Sequence, residues 1–172
     1  TRAAIMFDLV TSASSIHGAY WMEGAGGIFC ENEAMKWIVS LTGLPKGAFG
    51  VFTSGGTAAN LSAMVTAREY WRENELYKGE KGLIITSIGA HSSIKSMAKV
   101  IDVDVLLVDT EDKLLGSELK KTIDSLSEHQ RKRLFAVVAT GGTTNAGIID
   151  DLEGIANICE IENLWFHVDA AY

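Results

Sequence analysis

The sequence predicts an α/β fold, a mainly parallel sheet with helices on both faces. Three observations carry that prediction. Short apolar stretches alternate with longer stretches of helical periodicity, the order that right-handed strand–helix–strand units produce. The strand stretches are nearly continuous apolar runs, as in sheets buried on both sides. Glycines, hydroxyls, a histidine and an aspartate gather just after the strands, where such sheets bind ligands.

In chain order, residues 1–30 are the least regular, and "GAYWMEGAGGIF" sets four glycines among aromatics. They predict an irregular segment ahead of a domain spanning 31–172. The stretch nearly matches GxGxxG, but Phe29 stands at the last glycine position and no strand precedes it, so it is not a dinucleotide fingerprint. Residues 31–42 space Ala34, Trp37, Ile38 and Leu41 at helical intervals, and Gly43 with Leu44-Pro45 stops that helix. A short strand is predicted over Phe49 to Thr53. A long helix follows over 57–77, with Leu61, Met64, Val65, Arg68 and Trp71 along one side. Strands are predicted over 82–87, 103–108, 134–140 and 164–170, with helices over 92–101, 117–131 and 151–162 between them.

The 172 residues suffice for one domain with a real core. A net charge of −7 argues against nucleic acid as the main partner, because phosphate contacts need clustered cations. The basic run Arg131-Lys132-Arg133 reads as a solvated helix end. No apolar run approaches a membrane helix, and no leader pattern opens the chain, so no membrane partner is expected. Cys30 and Cys159 stand far apart outside any metal-ligand spacing; both are expected as buried thiols in a reducing compartment, the cytoplasm. No metal site is expected, since the pair Asp150-Asp151 lies at a predicted helix start and reads as a cap.

Four strand ends carry the candidate chemistry. "TSGGTAAN" (53–60) opens a helix, where unpaired N–H groups and partial positive charge favour an anion; without the lysine of a P-loop, it reads either as a phosphate seat or as a turn with Thr57 as cap. His91 follows the second strand, as a helix starter or as a flat ring that meets a ligand. "ATGGTTNAGIIDD" places Thr143 after the fourth. In "FHVDAAY", Asp169 closes an apolar strand, and a buried carboxylate needs a strong partner. His167 alternates with Asp169 and shares its face, a possible acid–base couple. No serine elbow accompanies it, so a hydrolase triad is unsupported.

Together, "FTSGGTAANLSAMVTARE", "AHSSIKSMAKV", "VVATGGTTNAGIIDDL" and "WFHVDAAY" resemble, in order and spacing, the group II pyridoxal-phosphate-dependent amino-acid decarboxylases, the glutamate and aromatic-L-amino-acid decarboxylase group. The resemblance runs from roughly Glu31 to Tyr172. It implies the large domain of a fold-type I, aspartate aminotransferase-like enzyme that releases CO2 from an L-amino acid to give the amine. It implies pyridoxal 5'-phosphate as cofactor and a homodimer. By the same resemblance, Gly56 and Thr57 hold the cofactor phosphate, His91 stacks on one face of the ring and Ala171 packs on the other. Asp169 pairs with the ring nitrogen, and Thr143 lies near the ring oxygen and the substrate carboxylate. His91, Thr143 and Asp169 are the implied catalytic residues.

The group also needs a Schiff-base lysine, further strands and a C-terminal small domain beyond the aspartate. Lys95 and Lys99 fall inside predicted helices at positions that do not match. The expectation is a part of a longer enzyme, inactive alone. Two alternatives stand beside it. One is another fold-type I enzyme: a carbon–carbon lyase similar to sphingosine-phosphate lyase, or an aminotransferase-like protein. The other, from a different class, is a non-catalytic homologue or nucleotide-binding domain.

Overall fold

The computed structural model describes residues 1–74 and 79–171. Residues Thr1–Phe52 form one compact unit and Thr53–Tyr172 another.

The first unit is helical. Helix α1 (Arg2–Ala13) is capped by the Thr1 hydroxyl, which accepts from the Ala4 N–H. Helix α2 (Trp21–Thr42) ends at Gly43, whose left-handed φ of 67° makes it the stop predicted from the sequence. Most of the opening residues are therefore helical: α1 contains no glycine, and α2 carries Gly24, Gly26 and Gly27, each lowering helix propensity by about 1 kcal/mol, with a break in the helix at Gly24. A Cβ there would collide with the His17 carbonyl. Cys30 is exposed rather than buried, because α2 buries only Gly24 and Met35. The strand predicted over Phe49–Thr53 also fails to form. A strand needs a neighbour for its backbone groups, and the Phe52 N–H instead donates to the Glu31 carboxylate (2.8 Å). Phe49, Val51 and Phe52 stay exposed.

The second unit carries the sheet. Helix α3 (Gly56–Asn74) leads into β1 (Leu83–Ser87), α4 (Ser92–Val100), β2 (Asp104–Val108), α5 (Gly116–Ser125), α6 (Glu128–Arg133), β3 (Leu134–Thr140), α7 (Leu152–Ile161) and β4 (Trp165–Asp169). The predicted last residues of α3, 75–77, lie outside the described residues. The helix predicted over 117–131 is two, because Ser127 and Gln130 form a capping box that starts α6 afresh. All strand pairs are parallel, in the order β2-β1-β3-β4.

Period-two alternation along buried strands splits the core into two layers. Ala136 and Val138 of β3 face one side with Ile84, Met64, Ile94 and Met97, beneath α3 and α4. Val137 and Ala139 face the other with Ile85, Leu119, Ile123 and Ile155, beneath α5 and α7. Helices thus cover both faces, as the unbroken apolar runs required. At Gly116, a Cβ would stand 2.6 Å from the Gly154 backbone, so only glycine lets α5 and α7 approach this closely.

Candidate functional site

The sheet order reverses between β1 and β3, and the loops leaving their carboxyl ends part there. A cavity of about 230 Å³ opens at these ends. Gly56, Thr57, His91, Thr143, Asp169 and Ala171 all line it, so the fold brings together the six residues that the resemblance assigned to the site, while His167 is not among the lining residues. Asn60, Ser93 and Thr140 line it too, and sequence reasoning missed them. No lysine lines it among the described residues. Lys95 and Lys99 are exposed on α4.

Each side chain arrives for a local reason. Helix α3 begins at Gly56, so Thr57 lies inside its first turn and is not its cap. That turn's first N–H groups lack intrahelical acceptors. A Cβ on Gly56 would stand 2.8 Å from the Ala171 Cβ, so the helix start and the end of β4 meet only because both residues are small. His91 is the cap of α4: its Nδ1 accepts from the Ser93 N–H at 3.2 Å. It therefore starts a helix and lines the cavity at once. Thr143 is held by a tight turn. Its hydroxyl accepts from the Ile148 N–H (3.1 Å), its carbonyl accepts from the Gly147 N–H (2.8 Å), and Gly147 takes a φ of 65°.

The acidic pair behind this loop does structural work. Asp150, buried, accepts from the N–H groups of Leu114 (2.8 Å) and Thr140 (2.7 Å). Asp151 caps α7, and the Gly116 and Gly154 N–H groups hold its carboxyl below the usual range.

Asp169 and His167 are coupled through a third residue. His167 Nε2 lies 2.8 Å from Asn60 Oδ1, and Asn60 Nδ2 donates to Asp169 Oδ2 at 2.9 Å. Burial pushes the His167 imidazole below its ordinary value of 6.5, and the Asp169 charge opposes that only in part. The signal that could have found Asn60 is its spacing: it stands four residues before Met64 and seven before Ala67, on the inward face of α3. A buried amide at such a position needs partners. Thr140 pairs in register with Asp169, and its hydroxyl is buried without a hydrogen-bond partner among the described residues.

A parallel sheet covered on both faces, with its cavity at the carboxyl ends, is the large-domain architecture of fold-type I pyridoxal-phosphate enzymes. Mouse CSAD has this fold: its crystal structure superposes with a TM-score of 0.88 at 28% identity, over 99% of this chain and 37% of that one. A family model described as the pyridoxal-dependent decarboxylase conserved domain matches residues 2–172, and the chain belongs to that family. Among its relatives, an aromatic-L-amino-acid decarboxylase of Bacillus atrophaeus is 31% identical over 98% of this chain. An L-2,4-diaminobutyrate decarboxylase of Rhizobium meliloti is also 31% identical over 98%. The chain spans about a third of the length of these relatives, 35% and 34%.

The family is pyridoxal-dependent, and the cavity suits pyridoxal phosphate on its own chemistry. It offers a helix start for a phosphate, a carboxylate for a ring nitrogen and an unpartnered buried hydroxyl at Thr140.

Proposed function

We propose that this chain supplies the cofactor-binding part of an enzyme that decarboxylates an L-amino acid to its amine and CO2. The observation that carries the reading is the convergence of Asp169, His91, Thr143 and the start of α3 on one cavity. Gly56 and Thr57 hold the phosphate at the α3 N-terminus. Asp169 pairs with the ring nitrogen and favours its protonated form, since an adjacent opposite charge stabilises that proton. His91 would meet one face of the ring, and Ala171, small enough to leave room, would meet the other. Thr143 stands near the substrate carboxylate. The bound cofactor supplies a sink for the electron pair released when the Cα–carboxylate bond breaks.

At about 230 Å³ the cavity is smaller than complete small-molecule sites, which run roughly 300–1,000 Å³. We therefore infer that the site is completed by chain outside these residues, including the lysine that anchors the cofactor, and that the working enzyme is a homodimer. The relatives' names support decarboxylation over the lyase and aminotransferase readings. The cytoplasmic assignment is part of the same proposal: Cys30 and Cys159 are both free thiols, and no described helix is long and apolar enough to cross a membrane.

The test uses the natural full-length protein. Borohydride reduction followed by peptide mass spectrometry should place a pyridoxyl group on a lysine outside these residues. CO2 release from a panel of L-amino acids, aromatic, acidic and diamino, should then identify the substrate. Aldehyde or keto-acid formation without CO2 would sink the decarboxylase assignment.

A further inference from the structure

We infer that Asn60 is a positioning residue, whose amide locks the carboxylate of Asp169 to the imidazole of His91 through one directional hydrogen-bond network. The inference rests on the proposed function, since it concerns how the residues assigned to the cofactor ring are held.

The network can be assigned donor by donor. Asn60 is 3% exposed and Ser93 4%, so both side chains need hydrogen-bond partners within the protein. One amide hydrogen of Asn60 goes to Asp169 Oδ2 (2.9 Å) and the other to Ser93 Oγ (3.2 Å). A carboxylate only accepts, which fixes the amide's orientation and leaves Oδ1 as its acceptor. Oδ1 lies 2.8 Å from His167 Nε2, so that nitrogen carries the proton. The Ser93 hydroxyl, having accepted from Asn60, turns its own proton to His91 Nδ1 (2.8 Å). His91 Nδ1, accepting from both the hydroxyl and the N–H of Ser93, is unprotonated, and its proton resides on Nε2. Every donor on Asn60 and its oxygen acceptor is used once, with no conflict.

The consequence is geometric. Asp169 closes β4, His91 begins α4, and Asn60 lies on α3, so one amide ties three elements at the cavity wall. The side chain meant for the ring's edge and the one meant for its face then keep a fixed spacing before any ligand arrives, which lowers the cost of ordering them on binding. His91 and Asp169 are the ionisable residues lining the cavity, and His167 stands behind Asn60 as the only other titratable group in the network.

The experiment measures cofactor affinity by quenching of tryptophan fluorescence in cofactor-free full-length protein. Four forms are compared: unaltered, Asn60→Ala, Asp169→Asn, and the double variant. Asn60→Ala alone should weaken pyridoxal phosphate binding roughly tenfold or more, the scale of a lost hydrogen bond to a charged group. In the Asp169→Asn background the same change should cost less than about threefold, because neighbours that act through one another are not additive. A merely structural asparagine would show equal losses in both backgrounds, and that result overturns the inference while leaving the cofactor reading intact. No binding by the unaltered protein overturns the cofactor reading, and the inference with it. If Asn60→Ala does not fold, Asn60→Asp takes its place, keeping the shape while removing both amide donors; equal losses in the two backgrounds would again count against the network.

Discussion

Two cavities lie at opposite ends of the same strands, and the larger one is not the candidate site. The one beside the strand starts is about 380 Å³, lined by Trp71, Phe135, Trp165, Arg131, Lys132 and Glu162 among others. The one at the strand ends is about 230 Å³. The difference is in what their polar groups are free to do. In the larger cavity the charges answer one another: Arg131 meets Glu162 at 2.6 Å, and Lys132 meets Glu128 at 2.6 Å. Its aromatics answer one another as well, with Trp71 stacked on Phe135 at 5.4 Å. In the smaller cavity the start of α3 opens on space, the Asp169 carboxylate accepts from neutral donors, the Asn60 amide and the Ala171 N–H, and the Thr140 hydroxyl is buried without a hydrogen-bond partner among the described residues. Chemistry follows unspent polar groups, and volume alone does not find them.

The sharpest way to break that contrast is a substitution in each cavity, read for both stability and cofactor binding. Phe135 is 4% exposed, and Phe135→Ala should cost about 3–5 kcal/mol in denaturant unfolding, the usual loss for a buried ring. It should leave cofactor affinity per folded molecule unchanged; a parallel loss of affinity would mean the two ends are coupled. Asp169→Ala should strike cofactor binding instead. Cofactor affinity should drop roughly a hundredfold, near 2.7 kcal/mol, while stability falls by about 1–3 kcal/mol, because the buried Asn60 amide loses an acceptor. Affinity within threefold of the unaltered protein would remove Asp169 from the site.

The sheet and the smaller cavity were legible in the sequence, for different reasons, and the larger cavity was not. The strands are continuous apolar runs whose periodicity needs no tertiary context, and β3 came out residue for residue over Leu134–Thr140. The cavity's lining residues Gly56, Thr57, His91, Thr143, Asp169 and Ala171 were singled out beforehand because glycine, hydroxyl and carboxylate gather at few strand ends and the family resemblance runs through them. What failed was whatever depends on a neighbour. Phe49–Thr53 has strand composition but no ladder partner, and α2 tolerates glycines that propensity penalises. Asn60 and Ser93 escaped because each looks like an ordinary polar helix residue until its helix is turned inward.

The pH dependence of stability sharpens the comparison further, because His167 stands behind Asn60 in the wall of the smaller cavity. Burial lowers the His167 pKa below 6.5, so the unfolded chain binds the proton more readily than the folded one. Unfolding free energy must then rise with pH across the window between the folded value and 6.5. Above that window His167 is neutral in both states and the effect is spent. The slope from one proton reaches at most roughly 1.4 kcal/mol per pH unit. His167→Gln, measured by urea unfolding at stepped pH, should flatten this acid limb. An unchanged limb would show that other groups carry it.

The smallest effect belongs to the larger cavity's ion pair. Arg131 and Glu162 are 43% and 17% exposed, and Asp124 and Lys120 stand nearby at 3.9 and 3.7 Å, so the pair sits in a partly solvated network. Exposed pairs contribute from near zero to about 1 kcal/mol, because holding two long side chains in place costs entropy and salt screens the attraction. Arg131→Ala should therefore lower stability by less than about 1 kcal/mol, and added salt should shrink the difference further. Cofactor affinity should not respond at all. A loss well above that range would mean that Glu162 is left with an uncompensated charge at a site drier than its exposure indicates, and the larger cavity would then have a polar group with something left to bind.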